Sequence, residues 1–142
     1  YSEPLGINDR KMGRGVVCFD GDQDGDIDII IANNNDSATL YRNDGGNQFN
    51  YLNVELQGDA PNTQALGARV YLSVDGSTQL REIHNGNNFV SQNPAEQHFG
   101  LDQSPSADSL RVVWPDGTET SRSNINVNQR VTVSYPDTWS TD

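Results

Sequence analysis

The chain has 142 residues, 33% of them hydrophobic, with a mean hydropathy of -0.72. That allows one ordinary domain or two small ones with a lean core, and excludes a large α/β enzyme built around a buried cofactor. Nine basic residues against 20 acidic ones give a net charge of -11 and a pI near 4.3; such a surface repels phosphate backbones and lipid headgroups and attracts divalent cations, so neither nucleic acid nor membrane insertion is expected.

The chain opens at Tyr1 with no Met or leader, which reads as a processed or excised fragment. Lys11, the sole lysine, falls in an irregular stretch and reads as a solvated side chain, with a lysine–asparagine cross-link as the remote alternative. A short apolar run at 16–19 and a second at 27–32 read as two strands of a hairpin. The second run is interrupted by Asp28 and is far too short to span a bilayer. Cys18, the only cysteine, precludes an internal disulfide or a multi-cysteine zinc site, and is expected to be buried as a small apolar residue.

Between these strands lies Asp20-Gly21-Asp22-Gln23-Asp24-Gly25-Asp26-Ile27-Asp28, five aspartates in nine positions. Without those five, 15 acids would face nine basic residues, so nearly half of the net charge sits in this one turn. Packing such charges together is unfavourable without a counter-ion. Asp20, Asp22 and Asp24, at alternate positions, can aim carboxylate oxygens at one centre, and Gly25 permits the bend that follows. Asp26 then offers its backbone carbonyl and Asp28 closes the shell from the far side. An all-oxygen set on a flexible loop suits calcium better than magnesium, which demands a tighter octahedron. An EF-hand would need a bidentate Glu at its twelfth position and flanking helices; here that position is Ile31, inside a β-branched run. The competing interpretation is a solvated acidic turn that serves only solubility.

Residues 39–42 read as a third strand, closed by the turn Asn43-Asp44-Gly45-Gly46, and Phe49 begins a fourth apolar segment. From Tyr51 onward apolar and polar residues alternate: Leu52, Val54 and Leu56; Val70, Leu72 and Val74; less cleanly 79–84; then 110–114 and 130–135. Period two, punctuated by Asp75-Gly76, Asn85-Gly86 and Asp116-Gly117, predicts six or seven half-buried strands and no amphipathic helix. The fold class is all-β, with segments 1–50 and 51–136 and a polar tail at 137–142.

Residues 15–49, through Cys18-Phe19-Asp20-Gly21-Asp22-Gln23-Asp24-Gly25-Asp26-Ile27-Asp28 and Leu40-Tyr41-Arg42-Asn43, resemble an FG-GAP repeat, the calcium-loop blade of integrin-α-type β-propellers. Residues 51–135 resemble the ASPIC/UnbV family through Gly67-Ala68-Arg69-Val70, Ser91-Gln92-Asn93, His98-Phe99-Gly100-Leu101 and Val113-Trp114-Pro115-Asp116-Gly117. The resemblance implies a propeller-blade-like antiparallel unit packed against a transthyretin-like β-sandwich, in a secreted or cell-surface protein. A propeller needs several blades and only one such loop is found, so this is either a final blade of a longer chain or a lone blade docked on the sandwich. The function implied is a non-enzymatic, calcium-stabilised structural or adhesion module; the alternative is a calcium-dependent carbohydrate- or matrix-binding module. Its partners would be calcium, other blades of the parent protein, a surface protein or a glycan.

No G-x-S-x-G or H-E-x-x-H motif accompanies the two histidines. His98 is expected to make a structural hydrogen bond, and His84 carries no catalytic signal. Trp114 is expected in the core, with Pro115 to Gly117 forming a turn; an aromatic sugar platform is the other reading. Ser91-Gln92-Asn93-Pro94 reads as a loop whose amides could bind a second cation or glycan, although nothing in the spacing demands it. Trp139 either covers an apolar patch or serves an interface.

Overall fold

A computed structural model describes residues 6–86 and 88–142, so the first five residues of the segment 1–50, and Asn87, lie outside the described residues. Eleven strands are described: β1 (Gly13–Phe19), β2 (Asp28–Asn33), β3 (Thr39–Tyr41), β4 (Asn50–Gln57), β5 (Arg69–Val74), β6 (Ser77–Glu82), β7 (Gln97–Asp102), β8 (Ser106–Val113), β9 (Glu119–Asn126), β10 (Gln129–Ser134) and β11 (Thr138–Thr141). The only helical turn among the described residues is a 3-10 segment, Gly46–Gln48. The chain divides into two compact units, Tyr1–Asn47 with Gly86–Asn93, and Gln48–Asn85 with Pro94–Asp142.

The first unit carries the antiparallel sheet β1-β2-β3. The expected hairpin is present, with Phe19 paired to Asp28 where it meets the aspartate loop. The fourth apolar segment, begun at Phe49, does not extend this sheet: β4 pairs with β7 and β10 instead. No large hydrocarbon side chain in this unit is fully buried among the described residues; Ile29, Ile30 and Ile31 are half-buried, whereas Asp26 and Asp28 are buried. Cys18, expected to be buried, is exposed. It shares the even-numbered face of β1 with the exposed Val16, and that face is left open.

The second unit is a sandwich of two four-stranded sheets, β11-β10-β4-β7 and β6-β5-β8-β9. Alternation works as predicted on β4 and β5: Leu52, Val54, Leu56, Val70, Leu72 and Val74 face one core with Phe99, Leu110, Val131 and Val133. One pair departs from the antiparallel rule, since β10 runs parallel to β4, with Val131 opposite Val54. The Asp75-Gly76 turn joins β5 to β6 with φ of 49° and 76°, the double positive-φ geometry that Asp-Gly favours.

Trp114 is buried in this core, edge-on to Tyr135 at 5.4 Å, and the turn after it closes through Gly117 N–H to Trp114 O at 2.9 Å. Residues 137–142, read as a polar tail, contain β11, which pairs antiparallel with β10. Trp139 anchors it: the ring packs against the core, lies under the Arg122 guanidinium at 4.6 Å, and its Nε1–H donates to Asp137 at 2.7 Å. The apolar-patch reading of Trp139 is therefore the one the structure bears out.

Candidate metal centre

The loop between β1 and β2 folds on its own carboxylates. Asp20 accepts the N–H groups of Asp24 (3.1 Å) and Gly25 (3.1 Å), curling the chain back over itself. Gln23 and Gly25 adopt φ of 63° and 96°; the glycine provides the bend read from sequence, and the glutamine adds a second positive-φ residue that sequence did not suggest. As a result, carboxylate oxygens of Asp20, Asp22 and Asp24 all lie within 4.8 Å of one another. Asp22 is the most open of the three.

Asp26 and Asp28 do different work through their side chains. Asp28 is buried and staples two segments: Oδ2 accepts Gly21 N–H at 3.1 Å and Oδ1 accepts Asn43 N–H at 2.8 Å. Asp26 Oδ2 accepts the N–H groups of Gly46 (3.0 Å) and Asn47 (3.2 Å), joining the loop to the 3-10 segment beyond β3. Its other oxygen, Oδ1, is buried with no hydrogen-bond partner among the described residues. Asn47 also reaches Asp24, with Nδ2–H donating to Oδ2 at 2.9 Å. The roles of Asn43, Gly46 and Asn47 were not read from sequence. They lie 15 to 23 positions from the aspartates they meet, with β3 in between.

The charges respond to this geometry. Desolvation, then the neighbouring charges of Asp24 and Asp28, push the Asp22 carboxyl above the ordinary value. Asp26 is pushed up by burial and by Asp24, against the pull of its two backbone donors. Asp24 moves down, chiefly because Asn47 and the Asp26 N–H donate to it.

The donor set fits a hard cation. Carboxylates of Asp20, Asp22 and Asp24 converge, and those bonded to backbone N–H retain further lone pairs for an ion; the side chains of Asp26 and Asp28 are not in that group. Among the described residues no histidine or cysteine joins this group, and an all-oxygen set disfavours zinc and copper.

The histidines are elsewhere. His98 Nδ1 lies 2.9 Å from Asn53 Oδ1, the structural bond expected of it, and the ring stacks on Tyr51 at 5.9 Å. His84 is exposed, 3.6 Å from Glu82. The Asn93 side-chain oxygen accepts the N–H of Cys18 at 3.1 Å and an Asn88 Nδ2–H at 3.1 Å.

The sequence profile of the family described as ASPIC and UnbV matches residues 58–139, all within the stretch from the end of β4 to β11. Cartilage acidic protein 1 of Mus musculus is 33% identical over 140 residues, covering 92% of this chain and 21% of that protein. The proteins of the same name from Xenopus tropicalis and Homo sapiens are 33% and 32% identical, over 95% and 92% of this chain. The chain thus spans about a fifth of the length of the curated relatives it matches.

Proposed function

The chain belongs to the ASPIC and UnbV family, and from that premise we propose that it is a non-enzymatic, calcium-stabilised structural or adhesion module of a secreted or cell-surface protein. The observation that carries the reading is the convergence of Asp20, Asp22 and Asp24 oxygens within 4.8 Å. Those three side chains hold the ion, with the Asp26 carbonyl and the Asp28 carboxylate as the further oxygen donors of an FG-GAP-like loop. Calcium supplies charge neutralisation and no reaction chemistry.

Two features support a structural role for the ion. The first unit buries carboxylates where the second buries hydrocarbon, so its cohesion depends on polar contacts that a cation strengthens. The loop also organises the N–H groups of residues 43, 46 and 47, so an ion that rigidifies it stabilises both strand connections. Binding free energy becomes folding free energy in such a site. The acidic balance, -11 over 142 residues, agrees with the name of the relatives.

Protein freed of metal, verified by elemental analysis, is titrated with calcium while amide exchange of residues 20–28 is followed. Calcium is expected to slow exchange across the loop, and Asp24→Ala to abolish the effect. Equal exchange with and without calcium in the wild-type chain contradicts the reading.

A further inference from the structure

The first-unit sheet ends at β1, yet the outer edge of β1 is closed. Val16 and Cys18 point their backbone groups away from β2. Side chains from residues 88–93, far along the chain, occupy that edge. Val16 O accepts from Asn88 Nδ2–H (2.9 Å) and from the Ser91 hydroxyl (3.1 Å), while Cys18 N–H donates to Asn93 Oδ1 (3.1 Å). Asn88 Nδ2–H also donates to Asn93 Oδ1 at 3.1 Å, so the two carboxamides are linked to each other. A carbonyl at one residue and an N–H two residues on are the pair that one residue of a parallel neighbour strand would engage. Here two amide side chains stand in for that backbone.

Packing supports the same arrangement. A Cβ at Gly15 would stand 3.0 Å from Ser91 Cβ and 3.2 Å from Phe89 O, so only a glycine lets the segment lie this close to β1. The segment holds its shape through a bridge between Asn88 and Ser91, with Val90 at a φ of 52°. A β-branched residue in the left-handed region is strained, and such strain persists only where surrounding contacts fix it.

We propose that residues 88–93 are a clasp that replaces a strand on β1, and that Asn93 is a positioning residue for the metal loop. Asn93 fixes the N–H of Cys18, two residues before Asp20, and so fixes where the chain enters the aspartate turn. This rests on the calcium reading above. The same contacts close an edge that would otherwise invite another strand to pair with it.

The test compares the wild-type chain with Asn93→Leu, which lacks the acceptor, and Asn93→Asp, which keeps it for both Cys18 and Asn88. Amide exchange at Cys18 is measured with chelator present, and calcium affinity by calorimetric titration. Asn93→Leu is expected to lose protection at Cys18 and to bind calcium about 3- to 10-fold more weakly, the worth of one exposed hydrogen bond, and Asn93→Asp to restore both. Unchanged Cys18 exchange in Asn93→Leu overturns the clasp. Wild-type binding of calcium with an unaltered constant in Asn93→Leu overturns the positioning role alone. Absence of calcium binding by the wild-type chain overturns that role together with the reading beneath it, while the exchange result still decides the clasp.

Discussion

Asp28 is the residue whose removal should loosen the loop most, because it is 3% exposed and both carboxylate oxygens are engaged. Replacing it with Ala deletes an acceptor for Gly21 N–H and one for Asn43 N–H. Hydrogen bonds to a charged group each contribute about 1.5–3 kcal/mol. Gly21 and Asn43 themselves are exposed, so water recovers part of the loss, leaving a cost of about 2–4 kcal/mol. Trp114 and Trp139 both lie in the second unit, so the readout is taken at the loop itself. Amide exchange at Gly21 and Asn43 reports the change. Opening that is about 2–4 kcal/mol easier speeds exchange about 30- to 1000-fold. Asp28→Asn should fall between, because its single carbonyl oxygen can serve one donor while its NH2 faces the other. Native-like protection at Asn43 in Asp28→Ala would refute the staple.

Gly46→Ala should weaken calcium binding and free the Asp26 carboxylate, because the new Cβ would stand 2.6 Å from Asp26 Cβ; titration calorimetry checks this, and an unaffected constant would show that the 3-10 segment does not support the loop. Phe99→Ala, at a fully buried site, should cost the sandwich about 3–5 kcal/mol, read as an earlier tryptophan-monitored melt. Asp137 is held below the ordinary carboxylate value of 3.8 by the Thr120 hydroxyl first and then the Trp139 indole. Its folded pKa being depressed, its stabilisation is present above the unfolded value and is lost as pH falls through the folded one. Acid melts should therefore soften around β11 below pH 3.8, and Asp137→Asn should flatten that dependence; identical acid profiles would count against it.

Much of this was legible in the sequence, for reasons that can be traced. Leu52, Val54 and Leu56 announce β4 because one sheet face is buried and a period of two follows directly. β9 announces nothing: only Thr120 and Ile125 are buried in it, and its place is fixed by pairing with β8. The parallel pairing of β10 with β4 is equally silent, since the partners are some 77 residues apart and local pattern carries no register. The run Val16-Val17-Cys18-Phe19 is apolar throughout, so nothing in it said which face was open, and Cys18 fell on the open one. In the loop, the spacing of Asp20, Asp22 and Asp24 foretold their convergence because alternate residues curl to one side of a tight turn. What it left out were the supports, Asn43, Gly46, Asn47 and Asn93, which reach the loop only through the folded chain.

Calorimetric titration of metal-free protein with calcium bears most directly on whether the aspartate loop is an ion site. The account predicts one calcium bound per chain, and none once Asp20, Asp22 and Asp24 are all replaced by Asn. A flat titration of folded wild-type protein, or one that the triple replacement leaves intact, contradicts it.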